Sequence, residues 1–308
     1  MEKFRCDNCS SADFIFLHPG RDRLHELKGE FSVVKCKQCG LIAVQPKLSL
    51  EEVSVYYPTD YISFPIAAVD ENSLLKKLDS KHGINRRCKV IIERAKEPGR
   101  ILDVGCATGN FLNGMQHYGW ECFGVEPNEY AANYAKNRFN FQVINGYLSK
   151  DHFPSDYFEV VTLWDVVEHL PDPKKDLSLI WNILKPGGLL VITTPNADAW
   201  ERKIFGENWV GLDVPRHYHI FTPVTIQDML NKSSFQTQEI MSFTGRLGAF
   251  ILSMEFFLKG KDIPSWSKRL ILSILRSLPC RIIMHPFFLL AEKVNRSSIM
   301  TVFARKVS

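Results

Sequence analysis

Apolar and polar positions alternate along residues 100–196 in blocks that predict strands and helices in turn. Buried strands are typically near-continuous in apolar residues, as are RILDVG, ECFGVEP, FQVIN, YFEVVTLWDVV and LLVITTPN. Stretches with helical spacing separate them: NFLNGMQHYG, EYAANYAKNRF and DLSLIWNIL. Apolar strands joined through helices form a parallel sheet that is covered on both faces. The pattern therefore predicts an α/β fold with a doubly wound, mostly parallel sheet.

The region before this pattern has a different character. Ser49 and Glu52 have the spacing of a capping box and predict a short helix. Residues 72–96 have broadly helical apolar spacing, which ends at Pro98 and Gly99. We therefore expect a connecting helical segment over 46–98 and an α/β domain over 99–308.

Cysteines mark a third unit at the N-terminus. Four of the eight cysteines form two C-x-x-C pairs, a spacing that is typical of zinc knuckles. A module this short cannot bury enough apolar surface alone, so a closed metal site replaces the missing core. We expect a zinc ribbon over 1–45 with a structural ion; disulfides or redox motifs are the alternative. The predicted ligands are Cys6, Cys9, Cys36 and Cys39.

Composition and charge narrow the class of protein. An apolar share of 45% is that of a globular protein, and a net charge of +4 does not indicate nucleic-acid binding. The first ten residues lack the pattern of a secretory signal, and no uncharged apolar run has the length that spans a bilayer. We therefore expect a cytoplasmic location.

A glycine turn follows the first strand, in ILDVGCATGNF at 101–111. A dinucleotide fingerprint would require glycine at 107 and 110, where the chain has Ala107 and Asn110. A phosphate loop is excluded because no G-K-[ST] follows. Glu126 ends the next strand, where a carboxylate can accept both ribose hydroxyls. The pattern favours a nucleoside that carries an amino acid.

ILDVGCATGNF, FGVEP, FEVVTLWDVVEHLPDP and LKPGGLLVITTPN, in this order, resemble the motifs of class I S-adenosylmethionine-dependent methyltransferases. The resemblance implies a seven-stranded Rossmann-like sheet that ends in an antiparallel pair, QTQEIMSFTG and IMTVFARK. It also implies methyltransferase activity; a non-catalytic binding module with a vestigial fold is the alternative. Ala107 departs from the commoner glycine of the motif. The cofactor residues that the resemblance implies are Asp103, Gly105, Cys106, Ala107, Gly109, Glu126, Trp164 and Asp165.

The acceptor should lie beyond the carboxyl ends of the strands. If 165–169 forms a helical turn, Asp165, Glu168 and His169 share one face. Their arrangement is similar to the E-x-x-E-H of ubiquinone-pathway O-methyltransferases, where it is a metal site. Three interpretations stay open: a divalent ion, a catalytic base without metal with Asp165 as its acid partner, or a purely structural role.

A second cluster lies in PRHYHIFTP at 215–223. Similar methyltransferases carry P-x-H ahead of F-[ST]-P, so the resemblance nominates His217 as the base, with His169 as the other candidate. A histidine has the pKa that suits proton removal from an alcohol. We expect His219 to pack the loop.

Residues 246–298, here called the insert, separate the last two predicted strands. Their apolar rows are broken by lysine and arginine and predict amphipathic helices. Two interpretations stay open: a lid or dimer surface packed on the core, or a peripheral contact with the inner face of the membrane.

The ribbon, the segment LIAVQPKLSLEEVSVYYPTDY and the core together are similar to bacterial methyltransferases of surface-polysaccharide and secondary-metabolite pathways. This resemblance implies O-methylation of a small-molecule or glycan-type acceptor, with a lipid-linked acceptor as one version. Sugar C-methylation is an alternative. RNA methylation is a further alternative, although W-D-V-V stands where base-modifying enzymes usually carry N-P-P-[YF].

Overall fold

The computed structural model describes residues 4–57, 74–242 and 246–307. Its N-terminal part is an antiparallel sheet followed by a short helix, which has the predicted capping box. In this capping box the Glu52 amide donates to Ser49 Oγ, and the Ser49 amide donates to Glu52 Oε2. The elements of this part are β1 (Phe14–Gly20), β2 (Phe31–Cys36), β3 (Ile42–Gln45) and α1 (Leu50–Ser54).

The rest of the chain alternates strands and helices as the apolar blocks predict. Its elements in chain order are α2 (Leu74–Ala95), β4 (Arg100–Val104), α3 (Asn110–Gln116), β5 (Glu121–Glu126), α4 (Glu129–Phe139), β6 (Gln142–Asn145), β7 (Phe158–Trp164), α5 (Pro173–Ile183), β8 (Leu184–Pro195), α6 (Trp200–Phe205), β9 (His219–Ile220), α7 (Pro223–Lys232), β10 (Phe235–Met241), α8 (Arg246–Lys259), α9 (Ser265–Arg276), α10 (Leu278–Lys293) and β11 (Ile299–Lys306).

Within the described residues, seven strands form one sheet in the order β10-β11-β8-β7-β4-β5-β6. The strands from β8 to β6 are parallel, whereas β11 runs antiparallel to both β8 and β10. The doubly wound sheet with an antiparallel terminal pair is thus confirmed. β7 ends at Trp164, because Asp165 has a φ of +57° and turns the chain out of the sheet.

The insert forms α8, α9 and α10 in its described part, between β10 and β11. Phe250 of α8 packs edge-on against Phe205 of α6 and Phe288 of α10, so aromatic contacts anchor the insert to the rest of the chain. No single helix of the described ranges is long and apolar enough to cross a membrane. The pair α9 and α10 meets that criterion only jointly, and the two helices are bent by 67°.

The N-terminal sheet packs directly against the large domain. β9 pairs with β3 and is the fourth strand of the N-terminal sheet, with Ala43 opposite His219. The His219 ring is buried, and its Nε2 lies 2.8 Å from Asp7 Oδ2. Beside it, Asn8 Nδ2 donates to Asp228 Oδ2 of α7 over 2.8 Å. His219 therefore joins the cysteine-bearing turn at 6–9 to the core.

A buried ion cluster completes this junction. The fully buried Arg216 guanidinium donates to Asp22 Oδ1 and to Asp213 Oδ1, each over 2.6 Å, and to the Tyr56 carbonyl oxygen over 2.8 Å. Burial opposes its charge, but the two carboxylates more than compensate and raise the pKa of Arg216. Three distant segments of the chain thus meet at one cation. Removing one member of such a cluster leaves uncompensated buried charge.

We expect Arg216→Met to lower the free energy of unfolding by about 3–5 kcal/mol, because two buried carboxylates lose their cation. Urea unfolding followed by tryptophan fluorescence measures this loss. The matched control is Lys259→Met, which removes an exposed lysine from its pair with Glu26 and should change stability by no more than about 0.5 kcal/mol. Similar small changes in both variants would contradict the assignment.

Candidate active site

The turn between β4 and α3 brings the backbone into an open loop at the carboxyl edge of the sheet. The amides of Gly105 and Cys106 donate to the Val125 carbonyl oxygen, over 2.7 and 3.2 Å. Gly105 has a φ of +73°, and a Cβ atom there would lie 2.6 Å from Cγ2 of Val166. Gly109 also has a positive φ, +77°, and begins α3 as its N-cap. Glycine is needed where the backbone must turn this way at close approach.

Two buried carboxylates flank this loop. Glu126 accepts the Ala107 amide at Oε2 and the Asn128 amide at Oε1, each over 2.8 Å. Each carboxylate oxygen has two lone pairs, so both oxygens keep acceptor capacity. Burial raises the pKa of Glu126 despite these two amides. Asp103 accepts from Thr162 Oγ1 over 2.6 Å, and burial raises its pKa to about 7.

The end of β7 forms the other wall of the site. Arg87 of α2 stacks over the Trp164 ring at 4.8 Å, and its Nη2 lies 3.4 Å from Asp165 Oδ2. The Trp164 indole N–H is buried without a partner in the described residues. Cys106 is buried under the loop, where a Cβ on Gly124 would lie 2.5 Å from its Sγ. Its thiol therefore packs against β5.

A cluster of titratable side chains lies beyond this wall. Donor atoms of Glu168, His169 and His217 all lie within 4.8 Å of one another. Asp165 does not belong to this group. The expectation of one helical turn over 165–169 is wrong, because Asp165 has a positive φ and a short 3₁₀ helix begins only at Val167. His217 from the following loop takes the place that the spacing argument assigned to Asp165.

In the cluster, His217 is buried and His169 is half-buried, and both are hydrogen-bonded to backbone. His217 Nδ1 lies 3.0 Å from the Gly211 carbonyl oxygen. A carbonyl only accepts, so Nδ1 carries the hydrogen and Nε2 keeps its lone pair. His169 Nδ1 lies 2.9 Å from Tyr57 Oη and 3.1 Å from the Arg216 carbonyl oxygen. Burial lowers the pKa of both imidazoles, that of His169 to about 3, and so favours their neutral forms.

Glu168 is the unusual member of the cluster. Glu168 is only 1% exposed, and its Oε2 has no hydrogen-bond partner among the described residues. Burial raises its pKa well above the usual range, and the charge of Asp165 adds to this effect. Buried polar atoms are normally paired. An unpaired carboxylate oxygen beside two neutral imidazoles can serve as a proton acceptor or as a ligand to a cation.

The four knuckle cysteines form a separate cluster far along the chain from these residues. Cys6 Sγ lies 3.5 Å from Cys39 Sγ, and Cys9 Sγ lies 3.5 Å from Cys36 Sγ. All four are free thiols, and their sulfurs lie within 4.8 Å of one another. Sulfurs at about 2.3 Å from a tetrahedral zinc ion would be about 3.8 Å apart. The four cysteines therefore fit a closed zinc site with four thiolate ligands.

Three residues of this region were missed by the sequence analysis. Arg87 reaches the site from a helix that precedes the sheet, and Tyr57 contacts a histidine 112 positions later in the chain. Asp213 pairs with Arg216 and lies 3.9 Å from His217 Nε2. No local spacing links these residues to the motifs, so only the fold brings them together.

Comparison with known proteins identifies a family. A family described as "Methyltransferase domain" matches residues 80–240, which is just over half of the chain. The match includes the glycine turn, Glu126, and the Glu168, His169 and His217 cluster.

Individual relatives are more distant. The chain is 26% identical over 190 residues to the ubiquinone biosynthesis O-methyltransferase of Thiobacillus denitrificans, covering 57% of this chain and 80% of that protein. It is 30% identical over 143 residues to the enzyme of the same name from a Bradyrhizobium species, covering 43% of this chain and 55% of that protein. Among solved structures, a SAM-dependent methyltransferase from Archaeoglobus fulgidus is similar, with a TM-score of 0.49 and 21% identity, over 73% of this chain and 94% of that one.

The close approach at the glycine turn can be tested by substitution. We expect Gly105→Ala to lower the free energy of unfolding by about 2–4 kcal/mol, because a positive φ and a clash with Val166 act together. Gly187→Ala is the matched control, since Gly187 has a φ of +72° and open space around it. Its loss should be about 1–2 kcal/mol.

Denaturant unfolding of the single variants and of Gly105→Ala/Val166→Ala measures the clash separately. We expect the second substitution to recover stability in the Gly105→Ala background, although Val166→Ala alone destabilises. Equal losses for Gly105→Ala and Gly187→Ala, with no recovery in the double variant, would rule out the steric explanation.

Proposed function

The chain belongs to the methyltransferase family, and on this basis we propose that it transfers a methyl group from S-adenosylmethionine to a hydroxyl oxygen of a small-molecule acceptor. The observation that carries the proposal is the cluster of two neutral histidines and Glu168 beside the glycine turn. The name shared by the relatives, an O-methyltransferase, supports oxygen as the methylated atom.

The residues around the turn fit S-adenosylmethionine. Glu126 keeps lone pairs for two ribose hydroxyls, and the glycine turn that follows Asp103 would receive the methionine end. When bound, the cofactor supplies a methyl group on a positively charged sulfur that is already a good leaving group. The protein then has two tasks, which are in-line placement of the acceptor and removal of its proton.

His217 is the proposed base. Its Nδ1–H donates to the Gly211 carbonyl oxygen, which fixes the ring and leaves Nε2 free to take the hydroxyl proton. Asp213, whose Oδ2 lies 3.9 Å from Nε2, stabilises the imidazolium that results. His169 packs edge-on against His217 with ring centroids 4.5 Å apart and orients it.

The unpaired oxygen of Glu168 favours a second candidate for proton removal, a divalent cation. Glu168, His169 and His217 would hold it, since carboxylate and imidazole together suit Mg²⁺, Mn²⁺ or Zn²⁺. Bound there, the ion would lower the pKa of an acceptor hydroxyl.

We further propose that the N-terminal unit, over 1–45, is a structural zinc ribbon, and that 46–98 connects it to a catalytic domain over 99–308. The geometry of the four cysteines supports the ribbon. Tyr57 supports a role for the connecting segment, because its hydroxyl reaches His169. A glycan-type or lipid-linked acceptor is one version of the proposed small-molecule acceptor. Methylation of a sugar carbon or of RNA is an outcome that the following test can return.

We expect His217→Ala to lower kcat by about 10²–10⁴-fold, the usual contribution of a general base, while S-adenosylmethionine binding stays unchanged. The assay is mass-spectrometric detection of labelled methyl transfer to phenols, small alcohols, nucleotide sugars, lipid-linked glycans and RNA. Isothermal titration measures cofactor binding. The control is His117→Ala, which changes an exposed histidine on the helix-end turn after α3.

Each outcome of this assay has a distinct meaning. Label on a hydroxyl that is lost in His217→Ala supports the base. Loss of activity on chelation, with recovery on adding Mg²⁺ and loss in Glu168→Gln, supports the cation instead. Label on RNA alone, or on a sugar carbon alone, would overturn the proposed hydroxyl acceptor.

For the ribbon, we expect about one zinc ion per chain by elemental analysis, and loss of that zinc in Cys36→Ser. A strong chelator should also lower the Tm of the wild type, because structural zinc contributes directly to folding. The matched control is Cys280→Ser, which replaces a cysteine outside the knuckles and should keep the zinc. A wild-type protein without metal, or one that keeps its zinc in Cys36→Ser, would refute the proposal.

A further inference from the structure

The insert presents a row of exposed apolar side chains, here called the insert face. On α9 and the first turns of α10 these side chains recur at every fourth position, which aligns them along each helix. Trp266 is 69% exposed and Ile283 is 76% exposed. The insert face consists of Trp266, Leu270, Ile274, Leu278, Ile282 and Ile283.

The opposite side of the insert is anchored. Phe287 and Phe288 pack with Phe250 in the apolar cluster that includes the core of the N-terminal sheet. Ser253 Oγ of α8 accepts the Val210 amide over 3.0 Å, in the loop that leads to His217. The exposed row is therefore the outer side of helices that are already packed, and its exposure does not come from a detached segment.

The charge on these two helices is mostly positive, and Glu292 near the end of α10 is their one acidic residue. From Ser265 to Ala291 the chain has four cations, Lys268, Arg269, Arg276 and Arg281, and no aspartate or glutamate. Arg276 also lies 3.6 Å from Glu255 of α8. A surface that combines exposed apolar side chains, a tryptophan and an excess of cations is suited to the interface of an anionic lipid bilayer.

We propose that the insert face docks on an anionic membrane surface. The apolar side chains enter the boundary between headgroups and acyl chains, while Lys268 and Arg269 meet lipid phosphates. A second copy of the chain is a poorer occupant, because two insert faces would bring Lys268 and Arg269 of each copy, which lie beside Trp266 and Leu270, towards like charges. Docking does not depend on which acceptor the enzyme methylates.

Co-flotation of the full chain with vesicles tests this proposal. We expect binding to phosphatidylcholine vesicles that contain about 30% phosphatidylglycerol, and at least about tenfold weaker binding to phosphatidylcholine alone. Leu270→Glu/Ile274→Glu and Lys268→Glu/Arg269→Glu should each weaken binding to the anionic vesicles by at least about tenfold. The control is Val224→Glu, which places the same charge at an exposed apolar position on α7.

S-adenosylmethionine binding and the Tm of each variant show whether that variant remains folded. We expect all variants to remain folded, because the substituted side chains lie outside the core. Absence of binding to anionic vesicles by the wild type would overturn the proposal. So would equal binding by Leu270→Glu/Ile274→Glu and the wild type. Concentration-dependent dimerisation that this double variant abolishes, without vesicle binding, would assign the insert face to a second copy instead.

Discussion

The structure depends on the burial of one permanent positive charge. Arg216 cannot lose its proton, so its burial requires carboxylates from elsewhere in the chain. Asp22 comes from the N-terminal unit and Asp213 from the loop that leads to Arg216, and the guanidinium also holds the carbonyl of Tyr56. Because the carbonyl of Arg216 itself lies 3.1 Å from His169 Nδ1, the residue that docks the N-terminal unit also contacts the candidate active site.

This cation also connects the N-terminal unit with the histidine cluster. Tyr57 follows directly on Tyr56 and places its hydroxyl on His169. The N-terminal sheet gains its fourth strand from β9, which directly follows His217 and Tyr218. Folding of the N-terminal unit and ordering of the histidine loop are therefore linked, and loss of the first should disturb the second.

Much of the fold could be predicted because its signals are local. Near-continuous apolar runs predicted β4 to β8, and Ser49 with Glu52 predicted the start of α1. The active-site cluster could not be predicted in the same way. The spacing rule for a helix grouped Asp165 with Glu168, but it cannot anticipate a positive φ at Asp165 or the arrival of His217 from a later loop. Such contacts depend on how elements pack, which no short window of sequence contains.

The position of the insert is also explained by long-range strand pairing. β10 and β11 pair antiparallel although three helices lie between them in the described residues. Their pairing does not depend on a short turn, because β11 is also held by β8 along seven residue pairs. When both ends of a loop are fixed in this way, lengthening the loop adds little to the entropic cost of closing it. The edge of the sheet thus accepts a long helical segment without a change in the parallel strands, and the outer side of that segment presents an apolar, cationic surface.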